Sequence, residues 1–140
     1  MCLALIQSYL PTTPGLLPKW ILFISVVSIF NSIQSYIGGL SMTRRVYENR
    51  PQEVTPLSAR TFGTWTLFSA IIRCYGAYHL TDENVFNITL YSFLIAIAHF
   101  SLEWLIYGTC KFGKGLLGPL VVSTSSIAWM TLQRDYYTSF

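Results

Sequence analysis

Four apolar stretches fill most of this 140-residue chain, running roughly Trp20 to Leu40, Phe62 to Leu80, Val85 to Tyr107 and Leu116 to Leu132. A helix needs about 20 apolar residues to cross the hydrocarbon core of a bilayer. Stretches of this length, separated only by short polar breaks, leave little chain for a water-soluble catalytic domain. The charged fraction is 11%, against about 25% in ordinary soluble domains. A soluble bundle buries one stripe per helix and keeps the opposite face polar, which these stretches do not. The predicted fold is therefore all-α: a four-transmembrane-helix bundle, forming a single domain over residues 1–140 with polar loops at 41–61 and 108–115.

The flanks fit that reading. Met1 to Leu10 lacks the length and the basic start of a cleavable signal. Pro11, Pro14 and Pro18 break the chain before the first span, and Pro18-Lys19-Trp20 reads as an interfacial entry. Cys2, Cys74 and Cys110 have no Cys-x-x-Cys spacing, so neither a disulfide framework nor a zinc site is expected. No cofactor is expected either.

Charge sets the orientation. Loop 41–61 carries Arg44, Arg45, Arg50 and Arg60, and loop 108–115 carries Lys111 and Lys114. With four spans these six cations share one face, and the positive-inside rule puts that face in the cytosol and both termini in a lumen. Asn87-Ile88-Thr89 is a glycosylation sequon on the luminal side, at the very start of a span. In the first loop, arginines beside Leu40, Val46 and Tyr47 suit an interfacial helix, each cation gaining about 1 kcal/mol from anionic headgroups.

In lipid, helices associate by close backbone approach and interhelical hydrogen bonds. The expected seams are Ser25, Ser28, Ser32, Ser35 and Gly39 on the first span and Gly63, Thr66, Ala70, Arg73 and Ala77 on the second. On the third they are Ser92, Ala96, His99 and Glu103, and on the fourth Gly115, Gly118, Val122 and Ser125. Asn31 and Gln34 lie close to the first seam and read as helix–helix glue. Together with Arg73, His99 and Glu103 they form the expected buried polar core. His99 and Glu103 stand i and i+4 on one face, a pair able in principle to exchange protons or ligate a metal. No third ligand and no nucleophile accompany them. Glu103 is placed to reach Lys111, Lys114 or Arg60, and depth matches Arg73 better to His99 than to Glu103. Two weaker signals are Arg73-Cys74-Tyr75 with Leu80, which fits a proposed cholesterol motif, and Pro119, which suits a first helical turn.

The stretches Leu17-Pro18-Lys19-Trp20, Asn31-Ser32-Ile33-Gln34-Ser35-Tyr36, Thr43-Arg44-Arg45-Val46-Tyr47-Glu48 and Ser58-Ala59-Arg60-Thr61-Phe62-Gly63-Thr64-Trp65 carry a resemblance. So do His99-Phe100, Glu103, Lys114-Gly115 and Gly118-Pro119-Leu120-Val121-Val122-Ser123-Thr124. Over nearly its full length the chain resembles the ergosterol biosynthetic protein 28 family. The resemblance implies a non-catalytic scaffold of the endoplasmic reticulum membrane. Its implied partners are the sterol C-4 methyl oxidase, the C-3 sterol dehydrogenase and the 3-keto sterol reductase, with a sterol C-24 methyltransferase also implicated. It carries over no active-site residues. The six loop cations are then the expected partner-binding face, and the spans would grip membrane lipid, partner helices or a second copy. No nucleic-acid partner is expected. Two other readings follow from the residues: a sterol- or lipid-binding membrane protein with a pocket near Arg73, and a membrane enzyme working through His99 and Glu103.

Overall fold

The computed structural model describes residues 1–139, and every regular element in that range is helical. The chain runs α1 (Cys2–Tyr9), α2 (Leu17–Ile37), α3 (Ser41–Val46), a 3₁₀ turn (Pro51–Glu53), α4 (Pro56–Tyr78), α5 (Glu83–Leu105), α6 (Lys114–Leu132) and α7 (Arg134–Thr138). Three of the four long helices, α2, α5 and α6, are long and apolar enough to cross a membrane. The fourth, α4, has 23 residues, but Arg60, Arg73 and a series of Gly, Ser and Thr dilute its apolar character.

The helix starts follow local chemistry. Pro18 stands in the first turn of α2, where a missing N–H costs nothing. The Thr55 side chain accepts from the Ser58 N–H while the Ser58 hydroxyl accepts from the Thr55 N–H, and Pro56 opens α4. Asp82 caps α5 by accepting from the N–H groups of Asn84 and Val85. These caps lie ahead of the apolar runs, so α4 begins six residues before Phe62 and takes in the end of what reads as loop 41–61. Helix α6 likewise begins at Lys114, which places Pro119 inside the helix rather than in its first turn.

Apolar clusters fill part of the interior, but the helix seams are small and polar, and the exterior is large and apolar. Ser25, Ser28, Ser32, Ser35, Thr89, Ser92, Ser123 and Ser126 are buried, while Phe23, Phe30, Ile33, Phe68, Ile71 and Ile95 face outward. A water-soluble protein buries the opposite set; lipid, as apolar as leucine, permits this one. The most extensive helix pair is α2 with α4, followed by α5 with α6. The Ser25 hydroxyl donates to the Ala70 carbonyl at 2.7 Å and Ser32 donates to the Gly63 carbonyl at 2.7 Å. The Trp20 indole N–H reaches the Ser126 hydroxyl at 3.0 Å, tying α2 to α6.

The seam of α6 differs from the sequence expectation. Leu116, Ser123, Ser126 and Met130 are buried, while Gly118 and Ser125 are exposed. The true stripe lies one residue later, because Leu116 and Met130 are drawn into the two apolar clusters at the ends of the bundle.

Those two ends are built differently. At one, the Leu17 N–H donates to the Tyr137 hydroxyl (3.3 Å), the Tyr78 hydroxyl donates to the Tyr9 carbonyl (2.6 Å), and Arg134 pairs with Glu83 (3.1 Å). This end therefore gathers α1, α7 and the α4–α5 turn. At the other, the Asn49 N–H donates to the Thr109 carbonyl (3.2 Å) and its side-chain amide to the Cys110 carbonyl (3.1 Å). The two basic loops are thereby joined.

Candidate functional site

The joined loops present Arg44, Arg45, Arg50, Arg60, Lys111 and Lys114, all exposed. Three carboxylates share this end: Glu48, Glu53 and Glu103. Glu53 pairs with Arg50 at 3.5 Å on the surface, and Arg44 donates to the Val54 carbonyl at 3.5 Å. Close packing holds α3 down on α6. A Cβ on Gly115 would stand 2.1 Å from the Arg45 carbonyl oxygen, so only glycine permits this approach.

Beneath the loops lies an aromatic cluster. The Tyr47 hydroxyl and His99 Nε2 are 2.7 Å apart. Phe62 meets Tyr47 edge-on, and Trp65 stacks edgewise against both Phe62 and His99. Glu103 does not reach Lys111, Lys114 or Arg60. It is turned inward instead, where its carboxylate accepts a short bond from the Thr109 hydroxyl, and its carbonyl takes the N–H groups of Thr109 (2.9 Å) and Cys110 (3.2 Å). The tight turn after α5 brings Thr109 closer than any lysine, and the lysines gain more from water. His99 and Glu103, though on one face, are therefore not bonded to each other. Burial raises the Tyr47 phenol above its usual range, reinforced by Cys110 and Glu103. Burial likewise pushes the Cys110 thiol up to about 11. Both groups stay protonated at neutral pH.

Between this cluster, the 3₁₀ turn and the first two turns of α4 is a cavity of about 690 Å³. Its inner wall is Tyr47, Phe62, Trp65 and His99, and its outer lip is Leu57, Thr61 and Ile95.

Arg73 sits deeper and elsewhere. It is 7% exposed. Its Nε donates to the Ser92 hydroxyl and its Nη2 to the Ser92 carbonyl, each at 3.1 Å, and its guanidinium lies 4.1 Å from the centre of the Phe93 ring. The expected depth match with His99 is not a contact: Ser92 lies two turns along α5 from His99, and the arginine turns that way. No carboxylate pairs with Arg73 among the described residues. A second cavity, about 400 Å³, runs from Arg73 to Arg45 and Lys114.

Asn31 and Gln34 are corrected outright. Both are exposed, and the helix contacts next to them are made by Ser32 and Ser35. One residue along a helix is about 100° around it, so nearness to a seam in sequence put these amides on its shoulder. Sequence reading missed Thr43 and Thr109, and it placed Tyr47 only on an interfacial helix, not against His99. Tyr47 and Thr43 were legible only as loop residues, and their partners come from α5 and the second loop.

The family model described as "Erg28 like protein" matches residues 17–128. Ergosterol biosynthetic protein 28 of Saccharomyces cerevisiae is 59% identical over 124 residues, 89% of this chain and 84% of that protein. The Candida albicans protein of the same name is 57% identical over 134 residues, 95% and 96% of the two chains. The human ergosterol biosynthetic protein 28 homolog is 36% identical over 122 residues, 87% of each. None of these names denotes an enzyme class. No solved structure matches the chain.

Proposed function

The chain belongs to the ergosterol biosynthetic protein 28 family, and from that premise we propose that it is a non-catalytic membrane scaffold of ergosterol synthesis. Its place is the endoplasmic reticulum membrane, crossed four times, with α4 as the fourth span shielded by α2 and both termini in the lumen. The joined basic loops then face the cytosol and receive the catalytic domains of the sterol C-4 demethylation enzymes: the C-4 methyl oxidase, the C-3 sterol dehydrogenase and the 3-keto sterol reductase. A sterol C-24 methyltransferase is a further candidate.

One observation supports this most. Six exposed cations lie on the two loops and the adjoining starts of α4 and α6, Asn49 joins those loops, and the sole ion pair there among the described residues is Arg50–Glu53. Such a surface steers and orients acidic partners. Tethering then raises effective concentration, so that insoluble intermediates pass between neighbours in the bilayer plane.

The test is an Arg44→Glu, Arg45→Glu double variant, tagged and purified from membranes under mild detergent. Recovery of the three enzymes is expected to fall about tenfold, equivalent to roughly 1.4 kcal/mol, with the variant still present at normal level. Unchanged recovery would remove the loops from the docking surface.

A further inference from the structure

The 690 Å³ cavity is not needed for a tether, and its chemistry is specific. Its volume falls within the roughly 300–1,000 Å³ of small-molecule sites. The wall surface is mainly apolar; Arg50 and Glu53 also line it, as does Glu103, whose carboxylate is held by Thr109. It extends along α4 from Leu57 to Trp65 and along α5 from Glu103 to Ile95, about 12 Å on each helix. The outer lip is open to the side of the bundle rather than only to its end: Leu57 is 67% exposed and Ile95 65% exposed. A lipid-soluble molecule can therefore enter from the leaflet.

Two polar features face a ligand. Tyr47 and His99 form a bonded pair in the inner wall. When Tyr47 donates to His99, the phenol oxygen keeps free lone pairs for an incoming hydroxyl. The second feature is Thr43, which also lines the cavity. It is 1% exposed, and its Oγ1 is the one buried side-chain polar atom without a partner among the described residues. Buried hydroxyls are almost always bonded, so an unpartnered one on a residue that lines the cavity marks a place for a ligand hydroxyl.

We propose that this cavity binds a sterol, with the rigid apolar body between α4 and α5 and its single ring hydroxyl on the Tyr47–His99 pair and Thr43. The sterol identity rests on the ergosterol-synthesis reading above; an apolar ligand of this size with a hydroxyl to bond rests on the cavity. A scaffold holding such a molecule would retain an intermediate between enzymes, or sense the local sterol level.

The experiment uses the full chain in phospholipid nanodiscs with a diazirine-bearing sterol that keeps its 3-hydroxyl. Labelling is expected to saturate, to be competed by the unlabelled alcohol and not by its 3-acetate, and to map to peptides around 43–65 and 95–103. Thr43→Val keeps the shape and removes only the orphan hydroxyl. It is expected to leave thermal stability unchanged or higher while weakening sterol binding between about two- and tenfold, the worth of one hydrogen bond. Tyr47→Phe is expected to weaken binding to a similar degree. Non-saturable labelling, equal competition by the acetate, labelling mapped to other helices, or a Thr43→Val protein with unchanged affinity would each overturn the proposal. Enzyme recovery by wild type is read separately, so a failed sterol site leaves the scaffold reading standing, and the converse holds.

Discussion

The two ends of the bundle use similar residue types for opposite purposes. At the terminal end, an aromatic ring is spent on closure: Tyr137 is buried against Leu17 and inside a cluster with Leu80, Phe86 and Met130. Its one ion pair among the described residues, Arg134–Glu83, lies over that cluster, with Arg134 also above the Phe86 ring. At the loop end, aromatic rings line a hollow, and the six cations are exposed. Burial at the first end fills space, whereas burial at the second leaves it.

That contrast can be broken most forcefully at Tyr137. Tyr137→Ala removes a fully buried ring and is expected to cost about 3–5 kcal/mol, seen as a large drop in thermal unfolding temperature in detergent. Enzyme recovery by the surviving folded fraction should be unchanged. Loss of partners without loss of stability would mean that the terminal end is also a docking surface.

Gly115→Ala attacks the loop end. Its new methyl meets the Arg45 backbone, so α3 must lift from α6, at about 1–3 kcal/mol of strain. Gly118→Ala, with nothing within 4 Å of the added carbon, is the control and should be silent. Equal melting temperatures for the two variants would refute the close approach of α3.

Thiol chemistry sharpens the comparison without altering the packing. Cys2, exposed at the terminal end, should react with maleimide at pH 7.5, whereas Cys110 should not. The Cys110 thiol is buried and its pKa is about 11, and only the thiolate reacts. The sign for stability follows: the folded state holds this proton more tightly than the unfolded chain. Stability from this source is therefore complete below about pH 9 and is lost as pH rises toward 11. Tyr47 adds to the same alkaline loss. A melting temperature that stays level from pH 8 to 11 would contradict both shifts. Adding a membrane-impermeant maleimide to sealed microsomes would also report whether Cys2 is luminal.

The smallest effect belongs to the seam. Ser25→Ala removes one interhelical bond, worth about 0.6 kcal/mol in membrane proteins, and should lower the melting temperature only slightly. A large loss would mean that Ser25 does more than bond to the Ala70 carbonyl.

Much of this was legible in the chain. Serines at three- and four-residue spacing on the first span are the buried face of α2, because helix periodicity puts them on one stripe whatever the partner. The two basic loops had to share an end once the helices alternated. Other features depended on azimuth and partner. Asn31 and Gln34 missed the seam by one residue of rotation. Arg73 turned to Ser92 and Phe93 rather than to His99, since depth along a helix says nothing about direction around it. Glu103 passed over the lysines for Thr109, which the turn after α5 brings close.

The sequence by itself determined the all-helical class, the long apolar runs and the uneven placement of charge, because these are properties of local composition and period. Only the tertiary structure decided that Tyr47 meets His99, that Asn49 joins the two loops and that Thr43 is left unbonded beside a cavity. Those are meetings between residues about 50 to 60 positions apart, or the lack of one. They depend on how four helices turn against each other, which no single segment encodes.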